Sequence, residues 1–241
     1  MSALLELAGL CKSFGALRVI DNLALDIAEG EVVGILGPNG AGKSTMFGLI
    51  AGELRPSAGS IRFLDRDITD LPAHARCRLG IGRSYQIPRP FGHMTVFENL
   101  LVGAAFGARR GEAESYELCI GILDRTGLAG KANSMARTLT LLERKRLELA
   151  RALATAPRIL LLDEIAGGLT ESECGELVQT IKSVHAAGTT IVWIEHVVHA
   201  LLAVVERLVV IDFGRKLDDG EPDAVLRNPA VQDVYMGMAE A

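Results

Sequence analysis

An α/β domain with a mostly parallel sheet is what the sequence predicts, on three observations. Residues 159–162, 190–194 and 208–211 are near-continuous apolar runs, as strands covered on both faces require. Helical patterns at residues 171–186 and 197–204 separate them, giving the alternation of an α/β fold. A further apolar run, Glu31-Val32-Val33-Gly34-Ile35-Leu36, feeds a glycine-rich loop and then a helix-forming stretch.

Taken in chain order, short apolar runs at residues 4–7, 23–27, 32–36 and 61–64, punctuated by Gly and Asp, read as strands entering a sheet around that loop. Residues 44–51 form the following helix, with Met46, Phe47, Leu49 and Ile50 as its apolar side chains. From about residue 87 to residue 157 helix-favouring sequence dominates, with candidates at 96–106, 112–126 and 143–154 and no convincing strand. A helical subdomain at 87–157 is therefore expected, inserted in a core made of 1–86 and 158–241, all within one domain. Phe213-Gly214-Arg215-Lys216-Leu217-Asp218-Asp219-Gly220-Glu221-Pro222 reads as a turn, a short strand and a second turn before short terminal helices.

With 241 residues, 49% hydrophobic and 23% charged, the chain can bury a substantial core and is neither disordered nor fibrous. Its formal net charge of −5 gives no general attraction to nucleic acid or anionic lipid, and no nucleic-acid partner is expected. Cys11, Cys77, Cys119 and Cys174 form no C-x-x-C pair, which points away from zinc and disulfides and towards a reducing cytoplasm. The start, Met1-Ser2-Ala3-Leu4-Leu5-Glu6, lacks the basic and long apolar segments of a secretion signal. The apolar run at 201–211 is broken by Glu206 and Arg207 and is shorter than the roughly 20 residues a bilayer span needs, so any membrane role must come through a partner.

The loop itself, Gly37-Pro38-Asn39-Gly40-Ala41-Gly42-Lys43-Ser44-Thr45, satisfies G-x-x-x-x-G-K-[ST] between a strand and a helix, which marks a nucleoside triphosphate site. Glycines let backbone N–H groups curl around phosphate oxygens, and the helix N-terminus adds partial positive charge. Lys43 is placed to reach the terminal phosphates and the Ser44 hydroxyl to ligate Mg²⁺. Later, Ile159-Leu160-Leu161-Leu162-Asp163-Glu164 puts two carboxylates at the end of a buried strand. Asp163 there serves the metal, and Glu164 polarises the water that attacks the γ-phosphate. His196 follows the strand 190–194 and is a candidate switch residue for the γ-phosphate, whereas His185 and His199 lie on helix patterns and read as surface or packing residues.

In this arrangement the chain resembles the ATP-binding-cassette (ABC) ATPases over essentially its whole length. Residues 37–45 look like their Walker A loop, 160–164 their Walker B strand, Gln86 in Arg83-Ser84-Tyr85-Gln86 their Q-loop, and Ile194-Glu195-His196 their H-loop. The resemblance implies a P-loop NTPase core of RecA-like type, with N-terminal antiparallel strands and the inserted helical subdomain. It implies that Gln86 senses Mg²⁺ and the γ-phosphate and that Phe14, in Lys12-Ser13-Phe14-Gly15, stacks on adenine. It also implies that ATP binds between two such domains, a second ATPase subunit completing the pair, and that separate membrane permease subunits receive the work; Pro88 and Pro90 disfavour a helix beside Gln86, so the apolar Ile87, Phe91 and Met94 there are the expected docking loop.

The family's signature loop, close to Leu-Ser-Gly-Gly-Gln, corresponds here to Leu139-Thr140-Leu141-Leu142-Glu143, where Thr140 keeps a hydroxyl for the nucleotide but the glycines are gone. Ile165 stands where proline is common, and Gly167-Gly168-Leu169-Thr170 replaces the usual D-loop. Within the family, residues 85–100 and the ending Asn228-Pro229-Ala230-Val231-Gln232-Asp233-Val234-Tyr235-Met236-Gly237 look most like the branched-chain amino acid importer ATPases, with lipopolysaccharide-export ATPases close by. A cassette protein acting on ribosomes or DNA, or a regulatory one that has lost hydrolysis, are the competing expectations. The compact acidic chain speaks against the first, and intact Lys43, Ser44, Gln86, Asp163, Glu164 and His196 against the second.

Overall fold

The computed structural model describes residues 3–236; Met1 and Ser2 of the N-terminal start and Gly237 of the C-terminal ending lie outside them. Its elements run β1 (Leu5–Phe14), β2 (Leu17–Ile27), β3 (Val32–Leu36), α1 (Lys43–Ala51), β4 (Ala58–Phe63), β5 (Arg66–Asp67), α2 (Ala73–Leu79) and β6 (Ile81–Arg83). Then come α3 (Val96–Val102), α4 (Glu112–Arg125), α5 (Leu141–Ala154), β7 (Ile159–Asp163), α6 (Glu171–Ala186) and β8 (Thr190–Ile194). The chain closes with α7 (Val198–Leu202), β9 (Arg207–Asp212), β10 (Arg215–Gly220), α8 (Pro222–Leu226) and α9 (Pro229–Met236).

Two sheets carry the fold. The larger has six strands in the order β10-β9-β3-β8-β7-β6, parallel throughout except for the antiparallel pair of β9 and β10. β3, β7 and β8 are buried along their whole length, which is why they read as unbroken apolar runs. Successive side chains point to opposite faces. Val32, Leu36, Leu160, Leu162, Ile191, Trp193, Leu208 and Val210 thus join the core beneath the helices, among them Leu147 and Leu149 of α5 and Leu177 and Ile181 of α6. Their neighbours Val33, Ile35, Leu161, Val192, Ile194, Val209 and Ile211 face the other way, onto α1 and the smaller sheet.

That smaller sheet, β2-β1-β4-β5, is antiparallel and separate, so the early strands do not enter the sheet around the loop as their order in sequence suggests; β3 alone does. Their burial pattern gives the reason. β1 and β2 expose residues along their length and cover only one side of the domain, whereas β3 is buried on both. β1 and β2 are also longer than their apolar runs, because register shifts after Leu7 and positive φ at Gly9 and Asn22 interrupt the alternation. β6 and α2, which the sequence does not announce, complete the sheet edge beside β7. Between β6 and β7 helices alternate with loops, strand pairing is limited to a single bridge between Thr95 and Met135, and α3 continues into a π-helical turn at Gly103–Gly107. α5 begins two residues before its predicted start, since Thr140 and Glu143 form a capping box there.

Candidate active site

The glycine loop follows β3 and ends in α1. Gly42 sits at the helix N-cap with φ +99°, and α1 has neither a side-chain cap nor an acidic residue in its first turn. A Cβ on Gly37 would lie 2.1 Å from the Ile211 carbonyl oxygen, so only glycine lets β3 turn against β9 at that point. The first backbone N–H groups of α1 are consequently free of any side chain of this helix, an arrangement that receives an anion. Lys43 is buried, and its ammonium donates to the carbonyls of Gly37 (2.7 Å) and Pro38 (2.9 Å). Burial pushes its pKa down, while the Glu164 and Asp163 charges hold it up. Residues 39–45 line one cleft together with Leu17, Val19 and Glu164.

Asp163 ends β7 next to a cation that the sequence reading passed over. Arg83, at the end of the neighbouring strand β6, donates from Nη2 to Asp163 Oδ2 (2.8 Å) and from Nη1 to Glu53 Oε2 (2.9 Å). Its guanidinium also lies 5.0 Å from the centre of the Tyr85 ring. Burial pushes the Asp163 carboxyl up, and the Arg83 guanidinium opposes that shift. Asp163 Oδ1 is buried with no hydrogen-bond partner among the described residues, and Ser44 and Gln86 line the same cleft as Asp163. Hydroxyl, amide and carboxylate oxygens with one unpaired lone-pair site suit a hard divalent cation.

The three residues expected to act on the attacking water come together. Glu164 adopts φ +47°, a left-handed backbone unusual for a residue with a side chain, and its carboxylate is shared between two partners. Gln86 Nε2 donates to Oε2, and His196 Nε2 lies 2.9 Å from Oε1. Sheet order explains the convergence, since β8 is inserted between β3 and β7 and delivers His196 between the loop and the acids. Just before it, Glu195 is 1% exposed and accepts from the N–H groups of Ala166 (2.7 Å) and His196 (2.9 Å). Burial pushes its carboxyl up.

Two expected residues stand apart from this group. Phe14, at the end of β1, is 47% exposed with Lys12 Nζ 5.0 Å over its ring, and it is not among the described residues that line the glycine-loop cleft. Thr140 is exposed and caps α5, its Oγ1 accepting from the Glu143 N–H (3.3 Å) while Glu143 Oε2 accepts from the Thr140 N–H (2.9 Å). Glu143 also pairs with Lys131 at 3.1 Å. His199 is exposed on α7, and His185 is partly buried with Nε2 2.9 Å from the Gly30 carbonyl, as helix surface and packing residues. Sequence reasoning missed Arg83, Lys145 and Glu195. Glu195 carried a signal, a charge closing an apolar strand; Lys145 sits in a charged helix with nothing in the sequence to say that it is buried.

A phosphate-binding loop facing two carboxylates and a histidine across a parallel sheet defines a P-loop nucleoside triphosphatase. Residues 20–167 match the ABC transporter family, and the chain belongs to it. It is 37% identical over 251 residues to the high-affinity branched-chain amino acid transport ATP-binding protein LivG of Salmonella typhimurium, covering 98% of each chain. To the lipopolysaccharide export system ATP-binding protein LptB of Acidithiobacillus ferridurans it is 36% identical, again over 98% of each. Among solved structures, the ADP conformation of an ATP-binding cassette of an ABC transporter superposes with a TM-score of 0.90 at 29% identity, over 98% of this chain and 100% of the other. The chain is thus an ATP-binding, ATP-hydrolysing transporter subunit. No helix of its described residues is long and apolar enough to cross a membrane.

Proposed function

We propose that this chain is the ATPase subunit of an importer for branched-chain amino acids or similar small polar solutes. It works as one of two cassettes held by permease subunits at the inner face of the cell membrane, with residues 87–157 as its helical subdomain. Likeness to LivG over nearly the full length supports the importer reading. The almost equal identity to LptB keeps a lipopolysaccharide-export role as the second reading.

One observation carries the catalytic assignment: the Glu164 carboxylate held between Gln86 and His196 at the mouth of the glycine-loop cleft. In hydrolysis, Glu164 takes the proton of the attacking water, and Gln86 and His196 fix its carboxylate and orient that water. Gly37, Asn39, Gly40, Ala41, Gly42 and Thr45 wrap the phosphates with backbone N–H groups while Pro38, which has no N–H, shapes the loop; Lys43 offsets the phosphate charge, and Phe14 takes the adenine. Ser44, Asp163 and Gln86 would hold Mg²⁺, which when bound neutralises charge on the β- and γ-phosphates. Glu164→Gln should retain Mg·ATP binding and lose roughly 10²–10⁴-fold in kcat, while Lys43→Ala should lose most of the binding. Phosphate release and nucleotide titration read both, and normal turnover by Glu164→Gln would sink the assignment.

Permease docking is assigned to the loop after Gln86. Ile87 and Phe91 are 66% and 44% exposed there, Met94 is half-buried, and Pro88 and Pro90 keep the segment out of a helix. The pairing of cassettes is assigned as unequal. Leu141 and Leu142 add bulk at the start of α5, and Glu143 adds negative charge, where the signature loop should meet the other cassette's nucleotide; Thr140 still offers its hydroxyl. The chain is then matched with a second ATPase subunit carrying an intact signature, and Glu164→Gln protein alone should dimerise poorly with ATP. Robust ATP-driven homodimers, indifferent to glycine at positions 141 and 142, would exclude the unequal pair.

A further inference from the structure

Lys145 is buried to 4% exposure one and a half turns into α5, and its ammonium reaches the catalytic residues through their backbones. Nζ donates to the Gln86 carbonyl (2.9 Å) and to the Glu164 carbonyl (3.3 Å). Taking an ammonium out of water is costly, and a side chain that merely filled this space would carry no charge. Glu164, moreover, holds a backbone conformation that persists only when its surroundings enforce it. Two buried charges do so from either end of the turn: Lys145 grips the Glu164 carbonyl, and Glu195 accepts the N–H of Ala166 two residues on.

Along the same helix, Glu148 Oε2 lies 3.4 Å from the Arg89 nitrogen, which donates to it, Arg151 Nη1 donates to the Arg89 carbonyl (3.0 Å), and the Arg151 guanidinium carbon stands 4.9 Å from the centre of the Phe91 ring. Residues 145, 148 and 151 share one face of α5 and hold the segment from Gln86 to Phe91. Lys145 is the member of that row that also touches the catalytic turn.

We infer that Lys145 is a positioning residue for ATP hydrolysis, tying the Gln86 backbone to the Glu164 backbone so that the placement of α5 sets where the Glu164 carboxylate lies. This rests on Glu164 acting as the base. Displacement of α5 or of the loop it grips then moves Glu164 directly, and a misplacement near 1 Å lowers a rate by about 10²-fold.

The test uses the full chain and the variants Lys145→Met, which removes the donors, and Lys145→Gln, which keeps N–H donors on a shorter arm. Lys145→Met should lower kcat by about 10²-fold with the Mg·ATP dissociation constant within about threefold, and Lys145→Gln should lose less in the same direction. In a Glu164→Gln background, Lys145→Met should cost no further rate, because it acts through a group already disabled. Parental kcat in a folded Lys145 variant, an equal loss of nucleotide affinity, a fully multiplicative loss with Glu164→Gln, or failure of both variants to fold would each overturn the inference. If Glu164→Gln alone hydrolyses ATP normally, the base assignment fails instead, whatever Lys145 does.

Discussion

The N-termini of α1 and α5 solve the same problem in opposite ways. Every helix starts with backbone N–H groups that lack partners within the helix. α1 leaves them open: its N-cap is Gly42, no side chain caps it, and no acid stands in its first turn. α5 closes them with the reciprocal Thr140 and Glu143 capping box, and α3 and α6 do likewise through Thr95 with Glu98 and Thr170 with Glu173. Three helices thus satisfy their own ends; α1 does not, and neither do α2, α4 and α7, but α1 is the one that follows the glycine loop. An open helix end leaves N–H groups that a ligand can complete; a closed end stabilises the fold and has less left to offer a ligand.

The largest expected effect comes from spoiling the open end. In Gly42→Ala the new Cβ would stand 2.7 Å from Ile20 Cδ1 and 2.8 Å from the Val19 carbonyl oxygen, at a φ of +99° that side chains avoid. The variant should lose about 1–3 kcal/mol of stability and most of its Mg·ATP affinity. Normal nucleotide titration by a folded Gly42→Ala would show that the open end of α1 is not the receptor.

Opening the closed end should do less. Thr140→Ala removes a cap and should cost about 1 kcal/mol, a fall of roughly 2–4 °C in Tm for a chain of this size, with the chain's own Mg·ATP affinity unchanged. A drop in that affinity would mean that Thr140 serves this chain's own nucleotide, against its place outside the cleft.

The smallest effect is a pH dependence. Hydrogen bonds from the Thr95, Thr140 and Thr170 N–H groups hold the Glu98, Glu143 and Glu173 carboxyls below the ordinary value of 4.5. A depressed acid contributes stability that is present above its unfolded value and lost as pH falls through its folded one. Urea midpoints should therefore fall below about pH 4.5, and the gap between the parent and Glu143→Gln, whose amide oxygen can still accept from Thr140, should narrow as the pH drops. A gap that widens in acid would mean that the ionised Glu143 carboxylate does not stabilise the start of α5.

What the sequence by itself determined is whatever depends on neighbours along the chain. The strand, loop and helix around Lys43, the acids closing β7 and the histidine after β8 are local patterns, because turn chemistry and strand burial act within a few residues. Those patterns carried the fold class and the family. Tertiary structure alone decided what depends on pairing across long separations. The insertion of β8 between β3 and β7 brings His196 to Glu164, β6 beside β7 brings Arg83 to Asp163, and packing of α5 against the catalytic turn buries Lys145. It also separated the early strands into their own sheet, since apolar runs mark a strand but not its partner. No residue type announces a contact with a side chain some eighty positions away, as Arg83 and Asp163 are, and that is why the charges organising the site stayed hidden while its phosphate loop was plain.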